Sequence, residues 1–431
     1  MYCNQCEQAA QGVGCMGGFG ICGKHADVQS LQELILYGLK GMAAYASHAR
    51  RLGQSDPDVS AFIEDALFST MTNVNFDLGS LFEIAMELGR MNFRVMEMLD
   101  AGHIERFGKP SPTTVAEGTR SGPGILITGH DLVDLADLLD QVKGTEIKVY
   151  THGEMLPAHM YPKLREHPNL GGNFGSAWQD QRADFQLFTG PIVATTNCIL
   201  IPSPSYADRV FTTRYTAVPG GTRLKGNDFG PVIKKALACD ELPDNIERTS
   251  TVGFHRTVLL DAAATIVQGV KDGKISRFFV IGGCDGAETE RSYFSDYAQA
   301  TPPDSFILTL GCGKYRIRNH DYGTLLGLPR LLDMGQCNDA YGAIAVAVAL
   351  AKAFNCGVND LPLTMVISWF EQKAVAVLLT LLSLGVKGIT IGPKPPAFIT
   401  RNVFKVLQDK FDLKLTGANP KGDLAAAMAK K

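Results

Sequence analysis

GILITGHDLVDLADLLDQVKGTEIKVYTHGE, Gly124–Glu154, sets the architecture of the chain. GILITG is a short, continuous apolar run closed by glycine. DLVDLADLLDQV then repeats apolar residues at three- and four-residue intervals, the period of a helix, before EIKVYTHG gives a second apolar run. Strands that are apolar throughout and separated by helices belong to parallel sheets covered on both faces. Each run also ends on a side chain able to bind metal, His130 after the first and Glu154 after the second.

Downstream the alternation continues through PIVATTN, RFFVIGG, SFILTLG, RLLDMGQ, LTMVISW and GITIGP. Upstream the texture differs. DVQSLQELILYGLKGMAAYASHARRL and NFDLGSLFEIAMELGRMNFRVMEMLDAGH carry helical periodicity, with a shorter helix expected around Val59–Met71. Short connections between such helices make a small antiparallel bundle. Lys109–Gly124, rich in Pro, Ser, Thr and Gly, reads as a linker, and a second boundary falls near Asp240–Thr251. The expected fold is multidomain α and α/β: an N-terminal helical bundle followed by two doubly wound parallel-sheet (Rossmann-like) domains. The corresponding boundaries are 1–120, 121–245 and 246–431.

Before the bundle, MYCNQCEQAAQGVGCMGGFGICGK places Cys3, Cys6, Cys15 and Cys22 in a C-x2-C-x8-C-x6-C spacing. Glycines between the third and fourth allow a tight loop that can gather four sulfurs. Four thiolates suit an iron–sulfur cluster or structural zinc. Zinc sites usually pair two tight CxxC units, and here only the first pair is tight, so iron–sulfur is favoured. Disulfides would require an oxidising compartment. Ten cysteines without a secretory signal instead point to metal in a reducing cytoplasm. A net charge of -3 gives no footprint for nucleic acid. The apolar stretches near Ala340–Phe354 and Ala374–Val386 fall short of the ~18–20 residues of a membrane helix, so no membrane partner is expected.

Seven strands end in the same chemical manner. His130, Glu154, Cys198, Cys284, Cys312, Cys337 and Glu371 each follow an apolar run. In open parallel sheets, sites form outside the carboxyl ends of strands. Thiolates suit iron–sulfur chemistry, whereas imidazole and carboxylate suit harder, oxygen-binding iron. One site holding all seven would be lopsided, half iron–sulfur cluster and half non-haem iron with exchangeable positions, as a small nitrogen- or oxygen-containing substrate requires.

These segments resemble the hybrid-cluster proteins, the prismane or hydroxylamine reductase family. The matching motifs are CNQC, GHDL around His130, THGEMLPAHMYP around Glu154, GNFGSAWQDQ, TTNC ending at Cys198, GGCDG around Cys284, LTLGCGKYR around Cys312, GQCNDAYGA around Cys337 and SWFEQKA around Glu371. They span nearly the whole chain. The resemblance implies a prismane-like fold, a hybrid [4Fe-2O-2S] cluster held by those seven side chains, and a persulfide-capable Cys284. It also implies a second cluster on Cys3, Cys6, Cys15 and Cys22. The spacing matches neither common pattern of the family, and its first three cysteines favour [4Fe-4S] over [2Fe-2S]. The interval from Lys24 to Gly122 has room for one helical bundle where long members carry two, which marks the short class.

The activity implied is reduction of hydroxylamine to ammonia and water, or of nitric oxide, with electrons from a protein donor. Glu371, Glu154 and Lys373 are the candidate catalytic residues. Two other readings are a nitric oxide sensor or protein S-nitrosylating factor acting through Cys284, and a carbon-monoxide dehydrogenase-like enzyme. The two carboxylates argue against the last. Cys239 and Cys356 read as buried apolar residues, His152 and His159 as local hydrogen-bonding groups, and His25 as a shield for the N-terminal cluster. GGCDG and LGCG match neither GxGxxG nor a P-loop, so nucleotide binding is not expected.

Overall fold

The periodic N-terminal runs form three helices, α1 (Ala26–Arg51), α2 (Pro57–Ser69) and α3 (Leu78–Phe107), in a computed structural model that describes residues 1–9 and 12–429. Each helix starts on a side-chain cap. His25 accepts from the Asp27 N–H, Asp56 from the Asp58 N–H beside Pro57, and Asp77 from the Ser80 N–H. Gly108, at φ 89°, ends α3. Ile35, Leu39 and Met42 of α1 pack with Leu88, Val95 and Leu99 of α3. A sequence-distant helix, Gln372–Ser383, completes this core with Val375, Leu379 and Leu382. Its approach is close because Gly41 and Gly89 have no Cβ. A methyl at either would overlap a backbone carbonyl, Gln372 O or Leu379 O respectively.

Two sheets follow. In the first, the parallel strands run in the order Leu170–Asn173, Lys148–His152, Gly124–Thr128, Ile192–Ala194, Val210–Thr212 and Thr222–Arg223. In the second the order is Leu331–Asp333, Ser305–Thr309, Arg277–Gly283, Leu363–Ser368, Thr390–Gly392 and Lys414–Leu415, parallel throughout. Both therefore begin at a central strand, wind outward on one side, return across it and wind out on the other. This is the doubly wound order expected from the sequence.

Two stretches differ from expectation. The supposed linker contains a strand, Thr113–Thr119, and the supposed boundary contains another, Asn245–Val252. They pair antiparallel at one edge of the first sheet, and Glu117 is bonded there by both Arg248 and Arg318. Both strands are largely polar, Asn245–Val252 mostly exposed and Thr113–Thr119 buried toward its end, so neither shows the apolar run of the central strands. The apolar segment Cys337–Phe354 reaches 18 residues with mean hydropathy 1.2. It is a partly buried helix of the fold, giving Ala340 and Ile344 to the bundle core and Val346 and Leu350 to the core of the second sheet. Serving two cores explains its composition. Cys239 and Cys356 are partly rather than fully buried.

Candidate metal centre

In each sheet the winding reverses beside the central strand, and the crevice at that point opens at the strands' carboxyl ends. Gly124–Thr128 lies between Lys148–His152 and Ile192–Ala194, and the loops after these three strands carry His130, Glu154 and Cys198. Arg277–Gly283 lies between Ser305–Thr309 and Leu363–Ser368, whose following loops carry Cys284, Cys312 and Glu371. Cys337 follows the next strand out, Leu331–Asp333. The seven positions read from the sequence thus sit around the reversal points of both sheets. Gly311 (φ 73°) lets the Cys312 loop pack on the Cys284 loop, since a Cβ there would meet Gly283 O, and Gly283 (φ 101°) lets the Cys284 loop pack on the strand before Glu371, since a Cβ there would overlap Ser368 O.

One ligand atom each from His130, Glu154 and Cys337 lies within 4.8 Å of the others. Glu154 Oε2 accepts the Cys337 amide at 2.8 Å, and the Gln336 side chain donates to Glu154 O at 2.5 Å. His130 Nδ1 is bonded to Thr196 Oγ1 at 2.8 Å, leaving Nε2 without a partner. Glu154 Oε1, Glu371 Oε1 and Lys373 Nζ are likewise buried and unpartnered. Cys198 adopts φ 67°, and its sulfur accepts from Asn197 Nδ2 at 3.2 Å.

Electrostatics join the remaining members. Burial raises all four thiols, Cys284 up to about 12 and Cys198, Cys312 and Cys337 well above the ordinary range. Charge from Glu154, Glu371 or both adds to the effect at each. Burial, with Lys373 and His48, holds His130 well below its usual value, so the imidazole is neutral. Burial also raises Glu154, opposed by Lys314 and the Cys337 amide. Desolvation works against the Lys373 ammonium, yet Cys337, Glu371, Cys198 and Cys284 together lift it above the usual lysine range.

Lys373 supplies positive charge to this pocket, set against a larger number of donor groups. Four thiols forced upward, two inward carboxylates and a neutral imidazole with a free nitrogen form a donor set that a cationic centre would satisfy. Of the seven candidate ligands, His130, Glu154 and Cys337 come within 4.8 Å of one another among the described residues, a set that mixes sulfur with oxygen and nitrogen donors.

The N-terminal cysteines form a separate constellation. Tyr2–Cys3 pairs antiparallel with Cys15–Met16, setting Cys3 opposite Cys15, both buried, while Cys6 and Cys22 are exposed. All ten cysteines are free thiols.

Several residues of these sites escaped the sequence reading. Tyr45 donates to Cys337 O at 3.2 Å and places its ring 5.9 Å from Lys373 Nζ. Lys314, fully buried, bonds Asp333 at 2.8 Å and Gly335 O at 2.7 Å. Lys24 lies against Cys3. A signal existed: Lys24, Lys314 and Lys373 each stand two residues after a proposed ligand. His152 bonds Thr128 and Asp184, His159 bonds Thr151, and His25 caps α1, the local roles read for the first two and a structural one for the third.

Comparison with known proteins accords with this arrangement. The chain is 56% identical over 414 residues to a hydroxylamine reductase of Moorella thermoacetica, covering 96% of this chain and 97% of that one. It is 48% identical to a hydroxylamine reductase of Thermotoga petrophila, with 98% of each chain covered. Among solved structures it resembles the as-isolated, Ni-free carbon monoxide dehydrogenase from Thermococcus sp. AM4 (TM-score 0.79, 16% identity, 99% of this chain and 90% of that one). It also resembles carbon monoxide dehydrogenase IV from Carboxydothermus hydrogenoformans (TM-score 0.78, 15% identity, 99% and 92%). At such identities the structural likeness speaks to the fold alone. The profile of the Prismane/CO dehydrogenase family matches residues 1–83 and 77–423. With a doubly wound pair of sheets, a bundle and a cysteine loop all inside that match, the chain belongs to the Prismane/CO dehydrogenase family.

Proposed function

We propose that this chain is an oxidoreductase that reduces hydroxylamine, NH2OH + 2e− + 2H+ → NH3 + H2O. The observation that carries the reading is the convergence of His130, Glu154 and Cys337 with free donor atoms in a thiol-rich, buried pocket. The name borne by the relatives at 56% and 48% identity supports it. The ligands we assign to a hybrid [4Fe-2O-2S] cluster are His130, Glu154, Cys198, Cys284, Cys312, Cys337 and Glu371. Cys3, Cys6, Cys15 and Cys22 would hold a [4Fe-4S] cluster that takes electrons from a protein donor. When bound, the hybrid centre would supply electrons and an iron able to accept the substrate's oxygen or nitrogen.

The chain's own residues account for the rest. Lys373 is 2% exposed, kept charged by its neighbours and free of hydrogen bonds, so it is placed to deliver a proton to a departing oxygen. Glu371 stands at the N-terminal end of the helix that carries Lys373 without a capping bond from its side chain, and its free Oε1 can exchange between metal and proton. Gln336 and the Cys337 amide fix Glu154 in one orientation. We assign residues 1–107 to the bundle with its cysteine loop, 113–252 to the first sheet domain and 253–431 to the second, the edge strands Thr113–Thr119 and Asn245–Val252 moving both boundaries from 120 and 245. The reaction belongs in a reducing cytoplasm, with nitric oxide as a second candidate substrate.

Anaerobic preparation with iron, sulfide and nickel analysis, spin resonance and hydroxylamine turnover with a reduced dye tests the assignment. Iron and sulfide with turnover uphold it. Stoichiometric nickel would favour a carbon-monoxide dehydrogenase. Nitrosothiol transfer without turnover would make the protein a nitrosylating factor.

A further inference from the structure

Lys24 is 1% exposed, and the three protons of its ammonium have three destinations. Two are neutral amide oxygens, Gln29 Oε1 at 3.0 Å and Gln32 Oε1 at 2.7 Å. The third is Cys3 Sγ at 4.0 Å. Among the described residues no carboxylate lies within 4.0 Å of this nitrogen. The Cys-Gly-Lys tripeptide recurs at Cys312–Lys314, and there the buried lysine is neutralised by Asp333 at 2.8 Å. Lys24 has no such partner.

A buried ammonium without a counter-charge costs several kcal/mol, more than two neutral amides offset. The missing negative charge must come from the one remaining neighbour, the cysteine loop. Four thiolates around an iron–sulfur core leave it net negative, and more so by one unit after reduction. A fixed positive charge beside Cys3 therefore favours the reduced form over the oxidised one. Resting on the proposed N-terminal cluster, we infer that Lys24 is its built-in counter-charge, raising its reduction potential so that it accepts electrons readily from the donor. Lys24 is a positioning residue in this role and touches no substrate.

The test is a redox titration followed by spin resonance on the full, cluster-loaded chain, comparing wild type with Lys24→Met and Gln32→Glu. The second variant keeps the lysine and neutralises it with a near-isosteric carboxylate. In both, the reduced-to-oxidised ratio of the N-terminal cluster at fixed solution potential should fall about tenfold, a downward shift of ~59 mV for one electron. The hybrid-centre signals should stay in place. An N-terminal cluster present in the variants at the wild-type midpoint overturns the inference and leaves the proposed function standing. If Lys24→Met assembles no cluster, the midpoint of Gln32→Glu decides alone. A wild-type N-terminus holding zinc, with no redox signal, overturns both this inference and the electron-entry part of the proposed function.

Discussion

Glu154 and Cys337 lie 183 residues apart in sequence, yet the Cys337 amide donates to Glu154 Oε2 at 2.8 Å. One carboxylate thereby ties the loop of the first sheet to that of the second and leaves its other oxygen free for metal. Glu154→Gln keeps an acceptor for that amide but removes the charge. The expected result is a nearly unchanged thermal midpoint with metal affinity down on the order of 10–100-fold, read by iron content after dialysis against chelator. A collapse of the fold with no iron-specific effect would mark Glu154 as purely structural.

The two metal constellations should be separable. The N-terminal cysteines sit outside the sheets, so Cys6→Ser should abolish the N-terminal cluster and slow electron entry while hybrid-centre spin signals persist. Loss of both signals together would mean that the cysteine loop holds up the whole fold.

Glu371→Gln retains size and hydrogen bonding, so the protein should fold and bind iron with altered occupancy. Hydroxylamine turnover should drop on the order of 10²-fold if ligand and acid–base help are lost together. Lys373→Met should cost less if the lysine only tunes its neighbour. Wild-type turnover and iron content in Glu371→Gln would transfer the role to Glu154.

Acid should destabilise the fold through its buried histidines. Burial holds His159 down to about 4, against roughly 6.5 in the unfolded chain. Between those values the unfolded chain takes up a proton that the folded one refuses, so stability falls as pH falls, by roughly 3 kcal/mol in all. His159→Gln can still meet Thr151, which bonds the ring at 3.1 Å, but does not titrate. Its melting temperature should drop less than that of wild type between pH 6.5 and 4, as scanning calorimetry would reveal. Parallel curves would disprove the assignment.

Gly89→Ala sets a methyl against Leu379 O, backbone with little room to yield. Overpacking of this kind costs typically about 1–3 kcal/mol. Urea titration should register that loss, together with weaker iron retention, because Leu379 belongs to the helix headed by Glu371. Unchanged stability would show that the helices can shift apart freely.

What the sequence made legible follows from physics local to it. Parallel strands buried on both faces are unbroken apolar runs, so GILITG and RFFVIGG stand out, and a polar residue ending each is conspicuous. His130, Cys284 and their counterparts could be read for that reason. Pairing of Thr113–Thr119 with Asn245–Val252 could not, because both strands are polar and their partnership is fixed only by the folded sheet. Nor could the burial of Lys24. A lysine's exposure depends on what folds over it, and Gln29 and Gln32 look like an ordinary helix surface until the cysteine loop covers them. The segment after Glu371 stands out in sequence as an apolar stretch near Ala374–Val386, but its membership of the N-terminal bundle does not.

That membership bears on how the protein can be dismantled. Gly41 and Gly89 grip the backbone of Gln372–Ser383, so the position of Glu371 is gauged against α1 and α3. The two sheet domains hold every proposed hybrid-centre ligand, yet cutting at the bundle would remove the surface against which one of those ligands is registered. The unit that positions Glu371 is therefore larger than the proposed ligand list, since it includes α1 and α3 as well as the second sheet.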